Sequence, residues 1–243
     1  MKSNYLPTDY QTFIATSRYA RWLEDKGRRE TWSETVERYI DNVVKPVINN
    51  DVDIDLIRHH VLSLQVMPSM RSLMTAGKAA ARDNTCMYNC SYLPVDDPKS
   101  FDEAMFILLC GTGVGFSVER QFISKLPDVP TLFDSDTTVV IRDSKEGWAK
   151  GLRQVLALLW AGEIPKWDVS KVRPAGARLK TFGGRASGPA PLIDLFMFAA
   201  NTFKGAEGRK LSSIECHDLM CKIGEVVVVG GVRRSAMISL SNL

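Results

Sequence analysis

Residues 90–118, CSYLPVDDPKSFDEAMFILLCGTGVGFSV, decide the fold class. Cys90 to Val95 reads as a strand, Phe101 to Leu109 as an amphipathic helix, and Val114 to Val118 as a second strand entered through a glycine turn. Strand, helix and strand in that order form the crossover unit of a parallel sheet. The pattern continues downstream. Thr137 to Ile141 reads as a strand, and Asp143-Ser144-Lys145-Glu146 caps a helix whose core face is Trp148, Leu152, Val155, Leu156 and Leu159. Pro189 and Pro191 suit the first turn of a further helix presenting Leu192, Leu195, Phe196, Ala199 and Phe203. The four valines 226–229 fit a buried strand or the end of a helix, and Ser235 to Leu240 alternates like a strand. This alternation implies an α/β fold with a largely parallel sheet.

Upstream the texture is helical. Trp32, Val36, Tyr39, Ile40, Val43 and Val44 recur at helical spacing, with Thr31 and Glu34 forming a capping box. Ile54, Ile57, Val61 and Leu64 mark a second helix that stops before Met67-Pro68-Ser69. The expected organisation is an N-terminal helical region over 1–66, followed by an α/β part over 67–243.

Composition narrows the function classes. The 243 residues are 45% hydrophobic and 24% charged, ordinary for a globular chain with a substantial core. The 31 basic and 28 acidic residues give a net charge of only +3, with no Lys or Arg run to track a phosphate backbone, so bulk electrostatics give no reason to expect nucleic acid as a partner. No stretch approaches the ~18 apolar residues of a membrane span, and the start MKSNYLPTDYQTF lacks a leader pattern. A cytoplasmic protein without membrane contact is the expectation. Five cysteines, 86, 90, 110, 216 and 221, have neither the density nor the parity of a disulfide scaffold.

Three segments could carry chemistry. Cys86 and Cys90 have a spacing that could be half a metal site, but no second pair completes it, and His59, His60 and His217 are not placed to help. No bound metal is expected. Gly111-Thr112-Gly113-Val114-Gly115 follows a helix and precedes a strand, the reverse of a dinucleotide fingerprint. It is either a tight packing turn or a set of backbone amides open to a ligand. Residues 173–189, RPAGARLKTFGGRASGP, place four cations among glycines directly before a helix. They suit a solvated loop or a mobile one that pairs with phosphates.

Taken together, Asn89-Cys90-Ser91, the 110–118 turn, Asp143-Ser144-Lys145-Glu146-Gly147-Trp148, the 173–189 loop and 224–240, GEVVVVGGVRRSAMISL, resemble the N-terminal part of the adenosylcobalamin-dependent (class II) ribonucleotide reductases. The likeness is to the monomeric ribonucleoside-triphosphate reductases, compact phage forms included, and runs from about Arg18 to the last residue. It implies that residues 67–243 form the first half of a ten-stranded α/β barrel, including the effector and specificity loop. It also implies that the valine run ends a helix.

The family's chemistry starts from a thiyl radical generated with adenosylcobalamin. That radical takes the ribose 3′ hydrogen, and a cysteine pair then reduces the 2′ carbon and closes to a disulfide. By resemblance Cys90 is the first member of that reducing pair. Ser69, Asn89, Ser91, Thr112, Gly113 and Arg185 fall at substrate-side positions, Arg185 on the loop that links effector to substrate base. Asp97, Asp143, Lys145 and Arg173 fall at effector-side positions. The implied partners are ribonucleoside triphosphates, deoxynucleoside triphosphate or ATP effectors, and thioredoxin or a similar dithiol. The family's N-x-C-x-E motif around the radical cysteine does not occur in these residues, so the resemblance also implies a complementary C-terminal polypeptide. The alternative is a non-catalytic nucleotide-binding or regulatory fragment of such a reductase.

Overall fold

The computed structural model describes residues 5–177, 185–229 and 236–242. Two compact units divide the chain, Met1–Asn89 and Cys90–Leu243. The boundary therefore lies beyond the expected 66/67 junction, because residues 67–89 pack with the helices before them.

In the first unit, α1 (Asp9–Ile14) is followed by a short hairpin of β1 (Trp22–Leu23) and β2 (Arg28–Arg29). Helix α2 (Trp32–Tyr39) starts at the expected capping box: Thr31 accepts from the Glu34 N–H, and Glu34 accepts from the Thr31 N–H. It continues through a π turn over Ile40–Val44. Helix α3 (Asp51–Leu62) follows, then α4 (Met70–Thr75) and α5 (Lys78–Arg82), two short helices with no periodic signal in the sequence. Trp32, Val36, Ile40, Val44, Ile54, Val61 and Leu73 form the core. Arg38 ties it together, donating to Glu30 and to the carbonyls of Tyr19, Leu73 and Ala76.

The second unit is built from crossover units. β3 (Cys90–Pro94), α6 (Lys99–Leu109) and β4 (Gly113–Ser117) form the first, with β3 and β4 parallel in the register Cys90 opposite Gly113. After the one-turn α7 (Arg120–Ile123), β5 (Phe133–Val140), α8 (Lys145–Trp160) and β6 (Glu163–Asp168) form the second, also parallel. Helices α9 (Ala190–Lys204) and α10 (Ser213–Val229) precede β7 (Met237–Ser239), which adds to the free side of β4 in parallel. The valine run is thus the end of a helix.

Among the described residues the parallel strands form one three-stranded sheet, β3-β4-β7, and one two-stranded pair, β5-β6. The α/β class stands as expected, whereas the described strands do not amount to a half-barrel. One face of the β3-β4-β7 sheet is covered: Leu93, Val114 and Phe116 are buried with α6, α8, α9 and α10 side chains. The other is open. There Tyr92 and Ile238 flank Gly115 in register and stay exposed, as does Leu240.

Candidate functional site

Parallel pairing brings the starts of β3 and β4 to the same end of the sheet. Cys90 is the first residue of β3, an exposed free thiol opposite Gly113, the first residue of β4. Cys86, the other thiol of that segment, is buried in a 3-10 turn with its Sγ 3.3 Å from the Asp83 carbonyl. Exposure thus singles out Cys90 as the thiol open to exchange, since access to the thiolate controls cysteine reactivity. Asn89 is exposed beside it, and Ser91 donates from its hydroxyl to the Gly113 carbonyl at 3.0 Å.

The glycine turn is structural on one side and open on the other. Gly111 has φ +82°, a left-handed conformation that favours glycine after a helix end. Its N–H bonds to Leu108, and the Thr112 N–H to Ile107, so both amides close α6. Thr112 is itself buried, which leaves Gly113 as the more accessible backbone at this end. Ser69 belongs to the other unit, where its hydroxyl caps α4 by accepting from the Arg71 N–H.

Three of the four effector-side candidates gather at the start of α8. Asp143 pairs with the Arg173 guanidinium at 2.7 Å. Ser144 caps the helix by accepting from the Gly147 N–H. Lys145 opens it, its ammonium 4.9 Å from the Phe106 ring centroid and 3.1 Å from the Cys110 Sγ. Gly147 is required here, because a Cβ on it would lie 2.3 Å from the Arg142 carbonyl oxygen. Two cations at the positive end of a 16-residue helix form a setting that can take a phosphate.

Asp97 is elsewhere. It caps the start of α6, accepting from the Lys99 N–H, while Lys145 meets the far end of that helix at Cys110. Eleven residues at a rise of ~1.5 Å put about 16 Å between those two ends. Arg185 donates to the Gly176 carbonyl, three residues beyond Arg173, and so borders the effector side; the glycines and cations of 178–184 lie outside the described residues, as do Gly230 to Ser235.

Two features escaped the sequence reading. Asp102 and Arg153, far apart in sequence, join α6 to α8 through contacts of 2.7 and 2.9 Å. They line a cleft of about 290 Å³ together with Phe106, Ile107, Glu146 and Lys150. The Lys145–Cys110 contact was equally hidden, since neither residue alone carries a motif. Among the described residues no group of three or more His, Cys, Asp or Glu is placed to hold a metal, and no helix is long and apolar enough to cross a membrane.

Comparison with known proteins bears on this geometry. The family model of the B12-dependent ribonucleotide reductase insertion domain matches residues 131–203, which contain β5, α8, β6, the 173–189 loop and all but the last residue of α9. An adenosylcobalamin-dependent ribonucleoside-triphosphate reductase from Lactobacillus helveticus is 27% identical over 92% of this chain and 40% of its own length. That alignment runs over 299 positions, more than the 243 residues present here, so the relative carries inserted residues. A protein of Mycobacterium phage D29 named for the same activity is 28% identical over 270 positions, covering 91% of this chain and 38% of its own length. The crystal structure of a B12-dependent (class II) ribonucleotide reductase superposes with a TM-score of 0.76 at 24% identity, over 93% of this chain and 41% of that one, and shows the fold. The chain is thus similar, along nearly its whole length, to the N-terminal part of the adenosylcobalamin-dependent, class II ribonucleotide reductases, and it spans about 40% of the length of the relatives it matches.

Proposed function

We propose that the chain is the N-terminal part of a radical enzyme that reduces ribonucleoside triphosphates to 2′-deoxyribonucleotides, with Cys90 as one of the two reducing thiols. The observation that carries this is the exposed Cys90 thiol at the open end of the β3-β4 pair, next to the accessible Gly113 backbone. A nucleotide seated there presents its ribose to Cys90. In the reducing step two cysteine thiols give up two electrons and close to a disulfide, while the 2′ hydroxyl leaves as water and a hydrogen takes its place. A soluble dithiol such as thioredoxin then reopens the disulfide by exchange through a mixed-disulfide intermediate. Asn89, Ser91, Thr112 and Gly113 shape that end of the sheet, with Ser91 holding the Gly113 carbonyl. Arg185 reads the substrate base from the loop, and Ser69 is assigned to the substrate only by sequence.

Asp143, Lys145 and Arg173 bind the triphosphate of a deoxynucleotide or ATP effector at the start of α8, with Asp97 assigned only by sequence. Adenosylcobalamin supplies the radical when bound. The cleft between α6 and α8, about 290 Å³, is at the small end of ligand pockets and does not fit a corrinoid; a complementary polypeptide would carry most of the cofactor's contacts.

The test is Cys90→Ser in the assembled enzyme. Turnover with a dithiol reductant should fall to background, with nucleotide affinity changed less than about threefold, because the thiol donates electrons rather than binding energy. Turnover at the wild-type rate would remove Cys90 from the reducing pair. Intact effector binding in a protein that never turns over would support the regulatory-fragment alternative.

A further inference from the structure

We propose that Cys110 and Lys145 form a reversible covalent bridge, Sγ–O–Nζ, when the protein meets dioxygen. The two nucleophiles come from different elements, the C-cap of α6 and the first turn of α8, and stand 3.1 Å apart. Both are held in place. Cys110 is 4% exposed on a turn fixed by the Gly111 and Thr112 amides, and the Lys145 ammonium lies over the Phe106 ring. A separation near 3 Å leaves room for one bridging atom after a small approach. The shielded thiol excludes bulky oxidants and admits a diatomic one.

The chemistry balances with dioxygen alone. Once Lys145 has released its ammonium proton to solvent, the thiol S–H and one amine N–H break, and S–O and O–N bonds form to one oxygen atom. The two hydrogens leave with the second oxygen atom as water. Sulfur and nitrogen each give up two electrons, and dioxygen takes all four. Reduction by two dithiols returns the thiol, the amine and a second water.

The bridge would couple the proposed effector and substrate ends. It removes the Lys145 cation from beside the Asp143–Arg173 pair and fixes Cys110 two residues from Thr112. This regulatory consequence rests on the effector reading above; the bridge itself does not.

The protein, purified whole under reductant, should be transferred to aerated buffer at mildly alkaline pH and examined by mass spectrometry after unfolding and digestion. The expected result is a peptide joining Cys110 to Lys145, heavier than its two parts by one oxygen less two hydrogens, which dithiothreitol splits. Lys145→Arg, which keeps the cation over Phe106 but offers no amine, should show none of this mass. A Cys110 that stays a free thiol beside a free Lys145 amine, or that goes to the sulfinic acid with Lys145 unmodified, would overturn the proposal, as would the same mass gain in Lys145→Arg. Deoxynucleotide affinity of the bridged form is read separately. A loss restored by dithiothreitol supports both readings, whereas unchanged affinity leaves the bridge standing and removes Lys145 from the effector site.

Discussion

Asp102 illustrates how a single buried side chain can oppose the fold it belongs to. Its Oδ2 receives the Arg153 guanidinium, while its Oδ1 is buried with no hydrogen-bond partner. Burial pushes this carboxyl above its ordinary range, and Arg153 only partly offsets that. The folded state therefore binds the proton more tightly than the unfolded chain does, and the stability Asp102 contributes is greatest at low pH and lost as pH rises through the raised value. Asp102→Asn keeps a carbonyl for Arg153 and removes the charge. Urea unfolding over a pH series should show the decline disappear, with a gain of about 1 kcal/mol at neutral pH, within the usual 1–3 kcal/mol for an unsatisfied buried group. An unchanged pH slope would mean Oδ1 is solvated in solution. Such a residue is illegible in sequence, where Asp102 reads as one more polar position on a helix. That Cys90 opens a strand was legible; that Cys86 is the buried thiol was not, since burial depends on the 3-10 turn of residues 84–87.

At the scale of elements, the long crossovers were readable and the short or polar pieces were not. Helices α8 and α9 carry continuous apolar faces, and Leu152, Leu156, Leu195 and Phe196 are buried as their spacing required. Strand β6, EIPKWD, has neither alternation nor an apolar run; it exists because β5 offers it backbone pairing across the α8 crossover. The start of α8 is the element on which the proposed effector site depends, and Gly147 sets it. A Cβ there would strike backbone rather than a movable side chain. Gly147→Ala should cost about 1–3 kcal/mol, the range for overpacking, and should displace Asp143 enough to weaken deoxynucleotide binding at least tenfold. Calorimetric titration checks the second effect, and wild-type affinity would detach the effector reading from this turn. In the other unit Arg38 has the same standing. Its pair with Glu30 is largely buried, at 14% and 5% side-chain exposure. Burial pushes the Glu30 carboxyl up, but hydrogen bonds from Arg38, the Arg21 N–H and Thr35 outweigh it and hold the value low. Glu30 thus stabilises the fold above the ordinary carboxylate range and ceases to as pH falls through its lowered value. Arg38→Met leaves that carboxylate buried and unpaired, a loss of about 3–5 kcal/mol at neutral pH. The difference from wild type should narrow in acid, as protonation relieves the stranded charge, and unfolding midpoints compared at neutral and acid pH read it directly.

For the whole molecule, what matters is the open face of the β3-β4-β7 sheet. Cys90 is exposed at its end, and Tyr92, Ile238 and Leu240 keep about half of their surface in solvent, an apolar stripe that a finished core would cover. Among the described residues β3 and β7 are also the edges of this sheet, where backbone groups can pair with a further strand. The complementary polypeptide proposed above, which would supply the radical cysteine, the second reducing thiol and the cofactor contacts, would have its seat here. Such a seat would place those groups over Cys90, as a reaction between one ribose, a radical thiol and a reducing pair demands. The protein alone, given adenosylcobalamin, a ribonucleoside triphosphate and a dithiol, should therefore yield no deoxynucleotide, and addition of a polypeptide corresponding to the remainder of a relative should restore turnover. The same addition should shield Tyr92 and Ile238, slowing amide exchange in β3 and β7 while leaving α2 and α3 unchanged. Tyr92→Asp with Ile238→Asp, on the open face and outside the buried core, should weaken assembly by 100-fold or more. Deoxynucleotide formed by the 243 residues alone, or assembly indifferent to those two charges, would show that this face is not where the second half docks.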